Sequence, residues 1–426
     1  MGSSRQQTRG TKDPLGAHAL HGLSADGRLL FATRIVRLFG YGLLAVVLVL
    51  YLASAGLRDR EIGALLTLTL VGDTVISLWI TTRADRIGRK WMLILGAMLM
   101  VAAGAVFITT HNFVLLLIAA TIGVISPSGG EVGPFLAIEQ AAMSESVEGQ
   151  ERIAVFAWYN LAGTVSTAVG ALVGGWGCQL LQRHGQTPLA SYQAAIGLYG
   201  AVGLVLALMF LRLTPAAETS HRKTKGQHRL GLHRSLGVVL RLSALFGLDA
   251  FAGGFVMQSI MAYWFQLRFG ASPALLGSIF FGANLLAAVS ALTAARLAAR
   301  FGLVNTMVFT HLPSNVLLIL VPLMPNLGLA IVVLLLRFAI SQMDVPTRQA
   351  YVMHVVEPDE RSGAAGVTGV ARTIGAALSP VIALPLLGSA ALIGAPFLIS
   401  GGLKIVYDLA LYRSCRSVHI EGTPTF

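Results

Sequence analysis

Charge is what this 426-residue chain is short of: Asp, Glu, Lys and Arg together make up 12% of it, against roughly a quarter in a water-soluble protein. With 55% apolar residues and a mean hydropathy of +0.73, most side chains must be solvated by lipid rather than water. Acidic residues are the scarcer sign, 19 against 31 Lys and Arg, which leaves a formal charge of +12. A soluble protein so basic would suggest nucleic acid; in a membrane protein the excess belongs in the loops of one face. Cysteine is nearly absent. Cys178 and Cys415 fall on opposite sides of the topology derived below, so no disulfide joins them, and nothing places them near metal ligands. No phosphate-binding loop is present, which argues against ATP drive. There is no clustered nucleophile, base and oxyanion set either, so neither an enzyme nor a bound cofactor is expected. Residues 1–28 are polar and the first apolar segment is too long for a signal peptide, so no cleavable leader is expected. That tail, with Arg5, Arg9 and Lys12, has the composition of a disordered segment.

What is present is a series of long apolar runs. A helix needs roughly 20 mainly apolar residues to cross the hydrocarbon layer, and the pattern predicts twelve: 29–53, 61–82, 91–110, 113–140, 152–176 and 190–212, then 237–266, 273–299, 304–324, 327–350, 361–386 and 390–412. Pro127, Pro134, Pro313, Pro346 and Pro380 sit inside these spans, which membrane helices tolerate when neighbours re-satisfy the freed carbonyls. Counting Lys and Arg in alternate loops sets twenty, among them Arg28, Arg83, Arg212 and Arg413, against four, Arg58, Arg60, Arg183 and Arg268. The richer side is cytoplasmic. The fold class expected is an all-α membrane protein with a cytoplasmic tail at 1–28, six helices in 29–212, a basic cytoplasmic linker at 213–235, six helices in 236–413 and a cytoplasmic tail at 414–426. The linker's His221, Arg222, Lys223, Lys225, His228, Arg229, His233 and Arg234 suit attraction to anionic lipid headgroups. Arginine outnumbers lysine, a usage that fits a GC-rich bacterial genome and a bacterial inner membrane.

The two sets of six repeat one another. At an offset of 209, Glu139-Gln140-Ala141 falls on Arg348-Gln349-Ala350, Val147-Glu148 on Val356-Glu357, Glu151-Arg152 on Glu360-Arg361, and Gly170-Ala171 on Ser379-Pro380. At an offset of 214, Gly56 falls on Gly270, Gly63 on Gly277, and Arg86-Ile87-Gly88 on Arg300-Phe301-Gly302. Two halves related by an axis along the membrane normal form a transporter architecture whose site lies at the midplane between them.

Between the second and third spans stands Asp85-Arg86-Ile87-Gly88-Arg89-Lys90, a tight turn at Gly88 with cations facing the headgroups. It resembles the cytoplasmic loop motif of the major facilitator superfamily, and together with twelve spans and the repeat the resemblance covers about residues 29–413. It implies that Asp85 clamps neighbouring helix ends when the cytoplasmic side is closed, with Arg86, Gly88, Arg89 and Lys90 completing the gate. Thr81 stands where the family has glycine, and the second-half copy keeps Arg300 and Gly302 but has Ala299 for the aspartate. In the fifth span, Ser166, Gly170, Ala171, Gly174 and Gly175 resemble a degraded glycine-proline motif of family exporters; the same residues make a small-residue packing face. The fourth span lacks the arginine that family proton antiporters often use and carries Glu131 instead.

Five charges fall near the centres of spans two, four, seven, ten and eleven: Asp73, Glu131, Asp249, Arg337 and Arg372. Each costs about 2.5–3.5 kcal/mol there if unpaired, so they must pair or face a water-filled cavity, and they are candidates for binding substrate or protons. Glu131 lies in Pro127-Ser128-Gly129-Gly130-Glu131-Val132-Gly133-Pro134, which cannot be regular helix throughout. Such breaks at membrane depth line cavities and often mark binding sites; an arginine beside it, Arg337 or Arg372, is expected to stabilise its charge. Arg337, Ser341, Asp344 and Arg348 form one polar stripe, in which Asp344 and Arg348 can pair and leave Arg337 free. Asn160, Gln258, Asn284 and Gln342 are further polar candidates. Met257-x-x-x-Met261 has a spacing open to soft-metal binding, but methionines at helical spacing are read as packing, and no metal site is expected.

These features predict a monomeric secondary transporter that moves a small solute by alternating access, coupled to protons through Glu131, Asp249 or Asp73, with a lean to efflux. An uptake permease or facilitator for a metabolite or metal complex, and a membrane sensor on a transporter fold, are the alternatives. Two midplane arginines suit an anion, and three carboxylates suit a cation or protons. The orientation is checked by cysteines introduced into 213–235: a membrane-impermeant thiol reagent should reach them only from the cytoplasmic face, and labelling of intact cells would overturn the assignment.

Overall fold

The structure is a computed structural model that describes residues 22–131, 133–146, 149–215, 218, 233–357 and 360–415. Most of the basic linker and both chain ends, Arg5, Arg9 and Lys12 included, lie outside the described residues, and the side chains of Asp85 and Cys415 do too. All regular structure among the described residues is helical. The first half holds α1 (Ala25–Ser54), α2 (Asp59–Ile87), α3 (Arg89–Thr109), α4 (Phe113–Ile122), α5 (Phe135–Ser146), α6 (Gly149–Arg183) and α7 (Pro188–Phe210). The second holds α8 (Leu236–Gly254), α9 (Gln258–Phe269), α10 (Pro273–Phe301), α11 (Leu303–Leu320), α12 (Leu327–Ser341), α13 (Asp344–Val355), α14 (Arg361–Leu378), α15 (Pro380–Leu387) and α16 (Ala395–Cys415). Eleven spans are long and apolar enough to cross a membrane, taking α8–α9, α12–α13 and α14–α15 as one each; α4, with its continuation α5, makes the twelfth. The fold is thus two six-helix bundles.

The fourth span is broken, as its prolines and glycines require. Between α4 and α5 the chain leaves helical geometry over 123–131 and 133–134, where Gly129 (φ +72°) and Gly133 (φ +79°) take left-handed conformations that glycine adopts without strain. Val124 takes one too, at φ +54°, an unfavourable place for a β-branched residue. Its carbonyl accepts a hydrogen bond of 2.9 Å from the buried Tyr199 hydroxyl, which holds the bend.

Two of the sequence repeats coincide with left-handed turns. Gly56 and Gly270, and Gly88 and Gly302, all have positive φ at helix junctions. At the same offset of 214, Asn112 and Asn326 each cap the following helix, their side chains accepting backbone N–H bonds from the first turns of α4 and α12. The repeat is therefore strongest where backbone geometry restricts the residue.

Side-chain placement is inverted relative to a soluble protein. Val75, Leu78, Trp91, Leu115, Phe309 and Leu323 are exposed on the outside, a surface only lipid would solvate, whereas Arg37, Glu139, Glu360 and Asp408 are fully buried. Helix α1 is buried on every side from Tyr41 to Leu52 and forms the centre of its half, packed on α6 and α7 and, across the divide, on α9.

The small residues of α6 serve close packing. A Cβ on Gly170 would lie 2.0 Å from the Phe39 carbonyl oxygen of α1. One on Gly175 would lie 2.2 Å from the Pro273 carbonyl oxygen and 2.7 Å from the Gly277 Cα of α10, so α6 and α10 cross backbone to backbone between the halves. Gly175 lies toward the end of α6 and Gly277 near the start of α10, on the face away from the start of α1 and the end of α16. On that same face Trp176 Nε1 donates to Ser278 Oγ (3.0 Å), Tyr263 to Asp59 (3.1 Å), and the Val381 amide to Thr67 (3.1 Å). Deeper, the Ser259 amide at the start of α9 donates to the Pro127 carbonyl in the broken fourth span (3.2 Å). These contacts seal the halves together on one side.

Gly170→Val should lower the thermal melting temperature of the detergent-solubilised protein steeply. Gly177→Ala, on the same helix with no atom within 4 Å of the added Cβ, should leave it unchanged or slightly raised.

Candidate functional site

A cavity of about 680 Å³ lies between the halves, lined by α1, α2, the broken fourth span and α6 on one side and by α8 to α14 and α16 on the other. Of the sequence-predicted residues it brings together Asp73, Glu131, Asp249, Gln258, Asn284, Arg337, Gln342, Asp344 and Arg372. Asn160 is placed elsewhere: it does not line the cavity, and its side-chain oxygen accepts from Arg34 Nη2 at 3.1 Å.

The wall of the first half is built on two arginines of α1, one turn apart. Arg34 Nη1 lies 2.8 Å from Glu131 Oε2, and Arg37 Nε 2.9 Å from Glu131 Oε1. Arg37 turns its other two nitrogens onto Glu139, each 2.7 Å from a carboxylate oxygen, in a bidentate pair with no solvent exposure. Thr33 (3.0 Å) and the Tyr159 hydroxyl also donate to Glu139. The guanidinium of Arg34 sits 4.2 Å over the Tyr159 ring and that of Arg37 4.6 Å over Phe135. The arginines beside Glu131 are therefore Arg34 and Arg37, not Arg337 or Arg372 as expected from the sequence: α1 runs alongside the break, whereas α12 and α14 stand across the cavity.

The second half has its own cluster. Asp249 on α8 takes Lys404 Nζ at 2.5 Å on one oxygen and Arg348 Nη1 at 3.0 Å on the other. Arg348 also lies 3.2 Å from Asp344. Behind Lys404, His311 Nδ1 is 2.8 Å from Asp408 Oδ1, Asn315 donates to Asp408 Oδ2 at 2.9 Å, and His311 Nε2 stands 4.0 Å from Asp249. Arg37 and Asp249 are 212 residues apart, and Glu139 and Arg348 are 209 apart, both close to the repeat offsets. The same two places in the two halves carry a buried ion pair with its polarity reversed.

Sequence reasoning passed over Arg34, Arg37, Glu139, His311, Lys404 and Asp408, and took Arg348 only as a local partner for Asp344. The signal available was the repeat itself, which already set Glu139 on Arg348.

Three candidates stay outside these clusters. Asp73 is half-buried, and its hydrogen bond with a described side chain is a long one of 3.4 Å from Ser77. Arg337 is buried, with its guanidinium 5.0 Å from the Phe338 ring centroid and its Nε unpartnered. Arg337 and Arg372 form no ion pair with a described residue.

At the gate motif, Glu218 accepts from the backbone amides of Arg89 (2.7 Å) and Lys90 (3.2 Å), capping α3, and Lys90 Nζ donates to the carbonyls of Leu211 (2.7 Å) and Leu213 (2.9 Å) beyond α7. In the second half Glu360 accepts from the amides of Arg234 and Ser235 just before α8.

Twelve spans in two repeated bundles around a central charged cavity define a membrane transporter fold. The sequence matches the Major Facilitator Superfamily over residues 30–380 and 243–419, and the chain belongs to that family. It is similar to an uncharacterized membrane protein of Saccharomyces cerevisiae, 31% identical over 419 residues, 91% of this chain and 93% of the relative. It is also similar to the quinolone resistance protein NorA of Staphylococcus aureus, 26% identical over 216 residues, 50% of this chain and 53% of that protein. Among solved structures, the nucleoside transporter NupG superposes with a TM-score of 0.70 at 13% identity, over 93% of this chain and 100% of that one. A bacterial homolog of the human lysosomal transporter Spinster, in an inward-facing and occupied conformation, superposes with a TM-score of 0.68 at 15% identity, over 96% and 98%. At these identities the likeness is one of fold.

Breaking a buried pair leaves an uncompensated charge and costs about 3–5 kcal/mol. Arg37→Leu and Glu139→Leu should each destabilise the protein by about that much, and the double variant by clearly less than their sum. Thermal unfolding of all four proteins in one detergent measures the coupling; additive losses would show the pair to be energetically independent.

Proposed function

We propose that the chain is a secondary active transporter that moves a small organic solute by alternating access, with 29–212 and 236–413 rocking against each other about the central cavity. The observation that carries this reading is a cavity lined by charged groups from both halves, with the halves clasped to each other on one face by the α6–α10 crossing. The loop charges support a cytoplasmic location for the chain termini, and on that reading the conformation described is one open to the cytoplasm. Arginine-rich usage favours a bacterial plasma membrane, and because the cavity is complete within one chain, the monomer is the transporting unit. Arg89 and Lys90 hold helix ends together through Glu218 and the carbonyls just beyond α7, and Arg86 and Gly88 complete the gate, with Asp85 as their partner in the closed state. The distant similarity to a quinolone resistance protein supports efflux over uptake.

Coupling to protons falls to Asp73. Glu131 and Asp249 each face two cations, so protonating either one breaks an ion pair. Asp73 has no cationic partner among the described residues, and a proton can come and go there without dismantling a cluster. Asp73→Asn should abolish proton-driven accumulation in proteoliposomes while leaving solute exchange intact. Glu131→Gln should instead weaken the first-half cluster and slow both modes. Gradient-driven transport by Asp73→Asn with unchanged pH dependence would overturn the assignment and return coupling to Glu131 or Asp249.

A further inference from the structure

The transporter reading leaves the chemistry of the solute open, and the pattern of unsatisfied groups on the cavity wall narrows it. In the second half the lining carries Arg337, Arg348, Arg372 and Lys404 against Asp249 and Asp344. Both carboxylates are engaged, Asp249 by Arg348 and Lys404 and Asp344 by Arg348. Two guanidiniums are therefore left over on one wall, one of them buried at 8% exposure. Asp249 and Asp344 act on both guanidiniums only from beyond ion-pair distance; a buried guanidinium so weakly compensated is costly, so a partner from outside the protein is favoured there.

The uncharged groups point the same way. The buried polar atoms on the cavity wall without a protein partner include Arg337 Nε, Gln258 Nε2 and the Ser341 hydroxyl. The first two can only donate a hydrogen bond and the third can donate one. Gln258 is oriented by its neighbour, since its side-chain oxygen already accepts from Asn284 at 3.2 Å. Arg337 and Ser341 lie one turn apart on α12. Unpaired donors on residues that line a cavity with surplus positive charge fit an acceptor-rich anion. The cavity's remaining lining includes Leu38, Leu70, Val256, Met257 and Met261, an apolar surface for the rest of the molecule. Its size is that of sites for drug-sized ligands.

Resting on the transporter reading, we propose that the solute is an amphiphilic organic anion, its carboxylate or phosphate held by Arg337 and Arg372 with Gln258 and Ser341 donating to it, and its apolar body against Met257 and Met261. A guanidinium matches either group bidentately, and the second arginine makes room for a doubly charged head. Asp73, on the opposite wall, is left to its proton.

The test uses the full-length protein in lipid nanodiscs, with three probes that share one ring system: 2-naphthoate, 2-naphthyl phosphate and 2-naphthylmethylammonium. Equilibrium dialysis against empty nanodiscs should show both anions bound and the ammonium ion not. Tighter binding of the phosphate assigns a doubly charged head, and tighter binding of the carboxylate a singly charged one. Arg337→Gln and Arg372→Gln should each weaken anion binding at least tenfold; Arg372 is only partly buried, so its variant remains informative if Arg337→Gln misfolds. Binding of the ammonium ion in preference to the anions, anion binding unchanged in the variants, or no anion binding at all would overturn the proposal. Flux of the same probes into proteoliposomes separates the two readings. Anions bound but never moved would keep the anion site and sink the transporter reading. Movement of the ammonium ion alone would keep the transporter and sink the site.

Discussion

Charge inside a lipid-solvated bundle must be compensated by the protein itself, and this requirement organises the molecule. None of Arg37, Glu139, Asp249 and Arg348 could stay at such depth unpaired; each is tolerated because another helix of the same half presents its partner at bonding distance. The α1 pair fixes where the broken fourth span must lie, since Glu131 can reach both Arg34 and Arg37 only if the chain leaves helical geometry beside them. The α8 cluster does the same for α13 and α16. Once these demands are met, the midplane charges left without an ion pair among the described residues are Asp73, Arg337 and Arg372, and all three line the cavity.

The reversed polarity of the two halves shows what the repeat preserves. Backbone requirements are kept to the residue, as at Gly56 and Gly270 or Asn112 and Asn326. At the buried pairs, what persists is that two opposite charges meet at those positions, and which helix carries which sign has been exchanged. Neutrality can be met either way round, whereas a left-handed turn is open to few residues besides glycine.

Much of this architecture was legible in the sequence. Hydropathy located the spans, and the offsets of 209 and 214 revealed the two halves. Proline and glycine around Glu131 marked the break in the fourth span. The divisions of α12 from α13 and α14 from α15 were not drawn: Ser341-Gln342-Met343-Asp344 and Ser379-Pro380 stand at them, but such short interruptions inside long apolar runs are equally compatible with a continuous membrane helix. The candidate site was legible in part. Choosing charges by nearness to the middle of a span found Asp73, Asp249, Arg337 and Arg372, but it judged depth from the backbone. Arg34, Arg37 and Lys404 have long side chains whose charged ends lie well away from their Cα atoms. Asp408 and His311 become significant only through helices distant in sequence.

The hydrogen bond from the Ser259 amide to the Pro127 carbonyl joins two interruptions, the unwound fourth span and the gap between α8 and α9. Each supplies what the other's missing helical turn would have provided. When the halves separate on the sealed face, a bare amide and a bare carbonyl are left at membrane depth, where neither can stay without a partner. Hydration of that point must accompany the parting, so the first water to enter from that side is drawn to the meeting of the two broken helices, at the roof of the cavity.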